Sequence, residues 1–278
     1  MAGGIAAVGA WTERAVMFPT SRCPTAGGTL RRLPARGTGL SAPTSESGRL
    51  DAVGVDRADP GTLLARLEEA DKRVLLSAGH PRHYRAGESI FSMGDSGRFV
   101  ALILEGRVKV FAPSTRGTET VLSLRGPGDL VGELSAIEDD PPARMATVVA
   151  LDPVVCRVVR AGEFRSLVAE RPAVALELLR TIAARLRTSD RRRVEFGAYG
   201  TTDRVARLLV DLAAEGTPSE GGVVLPRGLT QDDIAGMVGA SRESVARALA
   251  TLRTLGFVST GRRQVAVLDL AGLREFAS

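Results

Sequence analysis

The sequence of 278 residues is short of cysteine, histidine and aromatic side chains. Its two cysteines, Cys23 and Cys156, cannot build a disulfide framework, a four-cysteine zinc site or an iron–sulfur centre. Its two histidines, His80 and His83, cannot supply a three-histidine metal centre. No apolar run reaches the roughly 18 residues that a membrane-spanning helix needs. Aromatics are 4% of the chain although 44% of it is hydrophobic, so any core is built mainly from aliphatic side chains. At roughly 150 residues per domain the length allows one or two domains with cores of their own. These absences point to a soluble protein of a reducing, cytoplasmic compartment, with no membrane contact and no tightly bound cofactor.

Positive charge is unevenly placed. Residues 1–50 hold six Arg against two Glu, and residues 171–198 seven Arg against three acids. The last 80 residues balance nine basic against nine acidic side chains. The sequence pI near 10.0 therefore says little about nucleic acid by itself, and local placement of Arg has to carry that argument. Residues 1–56 are rich in Ala, Gly, Pro, Ser, Thr and Arg without apolar periodicity, and they read as a disordered tail. The Arg-rich stretch imitates a transit peptide, but no basic segment precedes the short apolar run Ile5–Ala10.

From residue 57 the pattern becomes structural. Leu63, Leu64, Leu67, Val74 and Leu75 predict one or two short amphipathic helices. Strand-like runs follow at Phe99–Leu104, Arg107–Ala112, Thr120–Leu124, Ala146–Leu151 and Val154–Val159. Turn signals such as Glu105-Gly106 and Gly126-Pro127-Gly128-Asp129 separate them, and many short strands suggest an antiparallel barrel or roll. Residues 161–198 turn helical. Ala175, Leu179, Ile182, Leu186, Ser189, Arg193 and Phe196 alternate steps of four and three, a heptad seam suited to a two-chain coiled coil. A second amphipathic helix is expected over 201–215, then a Gly/Pro loop with a strand at Val223–Leu225.

The last 50 residues read as helix, turn, helix and hairpin. Thr230 followed by Asp233 forms a capping-box start, with Gln231 as the first helical residue. Gly239 suits a tight turn, and Ser241 can cap a helix from Arg242 to about Leu255. At 100° per residue, Val245, Ala248, Leu249, Leu252 and Leu255 fall on one face, between about 220° and 340°. Arg242, Glu243, Ala246, Arg247, Ala250 and Arg253 fall on the other. The alternative for this polar face is a solvated surface with a Glu243–Arg247 ion pair. A helix fits the DNA major groove, Arg can bond guanine bidentately, and Glu can accept from cytosine N4. The candidate DNA-binding residues are Thr230, Gln231, Ser241, Arg242, Glu243, Ser244 and Arg247, with Arg262 and Arg263 at the hairpin tip as phosphate contacts.

The stretch Gly239-Ala240-Ser241-Arg242-Glu243-Ser244-Val245-Ala246-Arg247 resembles the recognition region of the cyclic-AMP receptor protein/FNR family of bacterial regulators. Gly126-Pro127-Gly128-Asp129-Leu130-Val131-Gly132-Glu133-Leu134, followed by Arg144, resembles that family's phosphate-binding cassette. The resemblance covers about residues 70–275 and implies an α+β chain. Its parts are a cyclic-nucleotide-binding-type β-roll over 57–170, a dimerisation helix over 171–200 and a winged helix-turn-helix over 201–278. It implies a homodimer reading a palindrome of TGTGA-like half-sites in double-stranded DNA, with RNA polymerase contacted through the loop Glu215–Gly222. It implies cyclic AMP as effector, held by Gly132, Glu133, Leu134, Ser135, Arg144 and Met145, with Ser189 and, from the second chain, Asp190 at the adenine. Glu133 matches the ribose ligand and Arg144 the phosphate ligand.

Met145 departs from the pattern, because relatives that bind ligand carry Ser or Thr there. It offers no hydroxyl, and the lost bond to a charged group is worth about 1.5–3 kcal/mol. Its bulk is also expected to crowd the pocket, so the rival reading is a ligand-independent regulator whose Glu133–Arg144 pair is structural. Asp190 has the alternative of pairing with Arg193 or Arg187. Cys156, in an apolar strand, reads as an inert core residue. An iron–sulfur sensor fails on Cys23 alone, and a haem sensor on histidines that precede the first expected strand. The remote alternative is a cupin-like enzyme, which would gather histidine and carboxylate ligands inside the barrel. No expected strand carries a histidine, so the chain is read as no enzyme.

Overall fold

Two four-stranded antiparallel sheets form the first half of the protein. They are seen in a computed structural model that describes residues 58–59, 61–113, 119–261 and 264–278. All of these belong to one compact unit. The tail over 1–56, Cys23, and the hairpin-tip residues Arg262 and Arg263 lie outside the described residues.

Two short helices open the fold, α1 (Leu63–Arg66) and α2 (Glu69–Ser77). The strands are β1 (His80–Tyr84), β2 (Ser89–Phe91), β3 (Phe99–Glu105), β4 (Val108–Pro113), β5 (Glu119–Arg125), β6 (Leu130–Val131), β7 (Thr147–Ala150) and β8 (Val154–Arg160). One sheet runs β1-β8-β3-β6 and the other β2-β7-β4-β5. A four-residue helix, α3 (Glu133–Ala136), follows β6. Ile90, Phe91, Ile103, Val148 and Cys156 pack in one cluster drawn from both sheets. Leu102 of β3 packs with Leu63, Leu75 and Phe164 in another. Each fully buried aliphatic or aromatic side chain of this kind contributes about 1.5–3 kcal/mol. Cys156 is free and buried, and burial pushes its thiol up to about 12.

The five expected strands are present, and three more join them. β1 carries both histidines, against the expectation that no strand holds one. It is an edge strand with four of its five residues exposed and with Pro81 inside it. An edge tolerates proline because no ladder bond is lost there, and a strand exposed on both faces shows no alternation. Both histidines face solvent, and among the described residues no group of three His, Cys, Asp or Glu side chains is placed to hold a metal ion.

The helical stretch after the roll is two helices. α4 (Ala161–Glu170) ends at Arg171, and α5 (Pro172–Ala198) begins with proline in its first turn, where the missing N–H is no loss. α5 is about 40 Å long at 1.5 Å per residue. Val174, Leu178 and Thr181 bury one face of it against the roll, while Leu179 and Leu186 stay 63% and 60% exposed.

Then come α6 (Thr201–Ala213), β9 (Thr217–Ser219), β10 (Gly222–Val224), α7 (Gln231–Val238), α8 (Arg242–Thr254), β11 (Val258–Gly261), β12 (Gln264–Val267) and α9 (Leu270–Phe276). The strands form a small sheet in the order β11-β12-β10-β9. β9 and α9 were not expected. Three residues including Pro218, and a single seven-residue helix, are too short to show a period. Asp269 caps α9, and Leu273 anchors it in the core of this half. Leu255, expected on the apolar face, is the C-cap of α8 and half exposed.

Candidate functional site

The cassette places two ionisable side chains beside a cleft of about 800 Å³ lined by the roll, α5 and, at its far end, α6 and α7. Gly132 ends β6 with φ +84°, and a Cβ there would lie 2.6 Å from Arg144 Nη1. Only glycine serves at this turn, on both counts. Arg144 is 3% exposed. It donates Nη1–H to the Gly132 carbonyl at 2.7 Å and Nη2–H to the Phe99 carbonyl. Its guanidinium lies 4.2 Å from the ring centroid of Phe91 and 5.0 Å from that of Phe99, a cation–π arrangement. Burial lowers its pKa, against the opposing charges of Glu133 and Asp95. Its buried Nε–H has no hydrogen-bond partner.

Glu133 does not pair with Arg144, contrary to what the rival, ligand-independent reading expects. Its buried carboxylate accepts from Arg185 of α5. Arg185 also reaches Asp129 at 3.3 Å and donates to the Leu130 carbonyl at 3.0 Å. Arg144 meanwhile is held by backbone carbonyls, so neither group needs the other. Arg185 and Asp129 were missed in the sequence. The available signal was spacing, since Arg185 lies one helical turn before Ser189.

Ser135 is buried and Leu134 is half exposed. Met145 lines the cleft but is 68% exposed, so its bulk leaves the cleft open. Ser189 lines the cleft as well. Asp190 lies 3.6 Å from Arg193, the local pairing held open above. The wall mixes seven arginines with five carboxyl side chains. Burial and the like charge of Arg185 bring Arg125 down to about 10, still protonated at neutral pH.

The second candidate surface is α8. Thr230 and Asp233 form the full capping box at the start of α7. Gly239 turns the chain with φ +59°, and the Ser241 hydroxyl accepts from the Ser244 amide at 3.2 Å to start α8. Val245, Ala248, Leu249 and Leu252 are buried, which leaves Arg242, Glu243 and Arg247 exposed near the helix N-terminus. Arg242 is 3.8 Å from Asp232, and Arg247 donates to Ser244 Oγ at 2.9 Å. These contacts stand where the solvated-face alternative expected a Glu243–Arg247 pair. Bonds from its own amide and from the Ser241 hydroxyl hold the Glu243 carboxyl below its usual range, so it is an acceptor at neutral pH. Arg253 ties α8 to β11 through Thr260 at 3.1 Å.

Comparison with known proteins matches both halves of the chain to families. Residues 81–171 match the family described as "Cyclic nucleotide-binding domain", and residues 203–276 match "Crp-like helix-turn-helix domain". A "CRP-like cAMP-activated global transcriptional regulator" of Mycobacterium tuberculosis is 33% identical over 68% of this chain and 84% of its own length. The "Cyclic AMP receptor protein" of Thermus thermophilus is 32% identical over 76% of this chain and 93% of its own. A solved CRP/FNR-family transcriptional regulator, also from Thermus thermophilus, superposes with a TM-score of 0.60 at 25% identity, covering 71% of this chain and 98% of that one. No helix among the described residues is long and apolar enough to cross a membrane.

Proposed function

Since the chain belongs to the cyclic-AMP receptor protein/FNR family of transcription regulators, we propose that it works as a homodimer gated by cyclic AMP in the roll. In this reading residues 57–170 sense, 171–200 dimerise and 201–278 read a two-fold palindrome of TGTGA-like half-sites. The observation that carries DNA reading is the split of α8: an apolar face in the core, and Arg242, Glu243 and Arg247 exposed at its N-terminal end. Those are the residue types and the helix end that reach base edges in this motif. Dimerisation is supported by Leu179 and Leu186, one heptad apart and exposed. RNA polymerase contact through Glu215–Gly222 is supported by the exposed β9 strand.

An anionic effector is supported by the chemistry of the cleft. Arg144 carries a buried N–H without a partner, and the Glu133 carboxyl, already accepting from Arg185, is of the type that accepts from a ribose hydroxyl. Open space beside Met145 answers the crowding argument, though not its missing hydroxyl. The rival, a regulator without a ligand, keeps the Arg185–Glu133 pair as structure alone. Calorimetric titration of cyclic AMP, with cyclic GMP as control, separates the two. Micromolar binding of cyclic AMP upholds the sensor. Silence up to millimolar leaves the ligand-independent regulator.

A further inference from the structure

Arg144 is held in a way that leaves its charge unspent. The carbonyls of Gly132 and Phe99 take its Nη groups, and the Glu133 carboxylate is taken by Arg185. Two phenyl rings meet the guanidinium instead. Its carbon lies 4.2 Å from the ring centroid of Phe91 and 5.0 Å from that of Phe99. The rings touch each other edge to face, with 5.9 Å between centroids. One turn supplies all of this, since Phe91 ends β2 and Phe99 begins β3. The same turn pins the Arg144 main chain. The Arg144 amide donates to the Asp95 carbonyl at 2.8 Å, and the Gly94 amide donates to the Arg144 carbonyl at 2.9 Å.

The residue type matters here. The chain has 8 Phe in 278 residues, and two of them stand at this one arginine. Their neighbours in the cluster are aliphatic, Ile90, Ile103 and Val148 among them, so a side chain without a ring would serve for packing. What a ring adds is a negative π-face, which attracts a cation and accepts none of its N–H groups. A carboxylate in the same place would neutralise the guanidinium and occupy its fork. Burial works against the charged form of Arg144, and the rings work for it. The result is a buried cation whose Nε–H still lacks an acceptor. Such a group is costly to the fold, and an anion in the cleft that Arg144 lines would satisfy it.

We propose that Phe91 and Phe99 are positioning residues for an anionic effector. Their π-faces hold Arg144 in place as a full cation with an N–H to spare. A phosphate diester entering the cleft then meets a charge that no carboxylate has already neutralised. The inference rests on the effector reading above and adds which side chains set the strength of its phosphate contact.

The test replaces the rings in the full chain. Phe91→Leu and Phe99→Leu keep an apolar side chain and remove the π-face. The Phe99 carbonyl stays, so its bond from Arg144 is not touched. Phe99→Tyr keeps the face, and this position is only partly buried, which leaves room for a hydroxyl. Calorimetry titrates cyclic AMP, with cyclic GMP as control, and urea midpoints check that each variant is folded under the same conditions. Each Leu variant should bind the nucleotide about fivefold more weakly than the parent, the scale of one cation–π contact. Phe99→Tyr should recover most of that loss. If Phe91→Leu fails to fold, the two variants at Phe99 decide. Leu variants that bind like the parent overturn the proposal. So does a Phe99→Tyr as weak as Phe99→Leu, because the π-face would then not be what matters. A parent silent to both nucleotides up to millimolar retires the effector reading and the proposal with it, whereas binding that ignores the rings retires the proposal alone.

Discussion

Asp233 serves two structures at once. It completes the capping box of α7 and receives Lys109 from the roll, with 5% of its surface exposed. Burial pushes its carboxyl up, but bonds from Lys109 and Thr230 outweigh burial and leave it below the usual range. A depressed carboxyl stabilises the fold above its unfolded pKa, and that share is lost as pH falls through the folded value. Asp233→Asn is therefore expected to lower stability by about 2 kcal/mol at pH 7, the scale of a hydrogen bond to a charged group. The gap to the parent should narrow steadily below about pH 4, where the carboxyl of the unfolded chain begins to protonate, and close as pH falls through the lower folded value. Urea midpoints across pH check this, and a gap that stays constant to about pH 2 would show that the charge is not what matters. Site residues were legible one by one, since Gly132, Glu133, Arg144 and the α8 triad all follow from local motifs. Their partners were not. Phe99 lies 45 positions from Arg144, and Arg185 lies 52 from Glu133, separations that only the folded chain closes.

Among the elements, α5 shows how much a period can and cannot tell. The heptad marks Leu179 and Leu186 as one seam, and they are the exposed face of the helix. The opposite face, Val174, Leu178 and Thr181, packs on the roll and follows from the same wheel. Nothing in the period reveals that the Phe196 ring lies beside Gly239, because that contact depends on where α7 and α8 land. Strand detection divides along the same line. β3 and β8 are apolar runs and easy to see, whereas β1 and β9 are exposed and carry a proline each. Replacing both Leu179 and Leu186 by Asp should convert the proposed dimer to monomers, since like charges would then face each other across the seam. Sedimentation at micromolar concentration reads the outcome. A dimer that survives both changes would place the two-fold contact elsewhere.

At the scale of the whole molecule, sensing and reading are joined by α5, by the packing of Val121 and Leu124 of β5 with Ile234 and Met237 of α7, and by the contacts of Arg107 with Glu215 and of Lys109 with Asp233. An effector moves this assembly only if it binds one arrangement more tightly than the other. The reading face can be tested apart from that linkage. Replacing Arg242 and Arg247 by Ala should remove the preference for a palindrome over a scrambled duplex, leaving the dimer intact. Each bidentate base contact is worth about 1–3 kcal/mol. If discrimination persisted in the double variant, α8 would not be the reading element. A Cβ on Gly236 of α7 would lie 2.5 Å from the Glu119 carbonyl oxygen of β5, and this close approach carries a further consequence, for inheritance. Every glycine codon is a single base away from an alanine codon. One transversion therefore suffices to wedge α7 from β5, and one reversion to seat it again. The packing of α7 on β5 is thus open to change in a single mutational step in either direction.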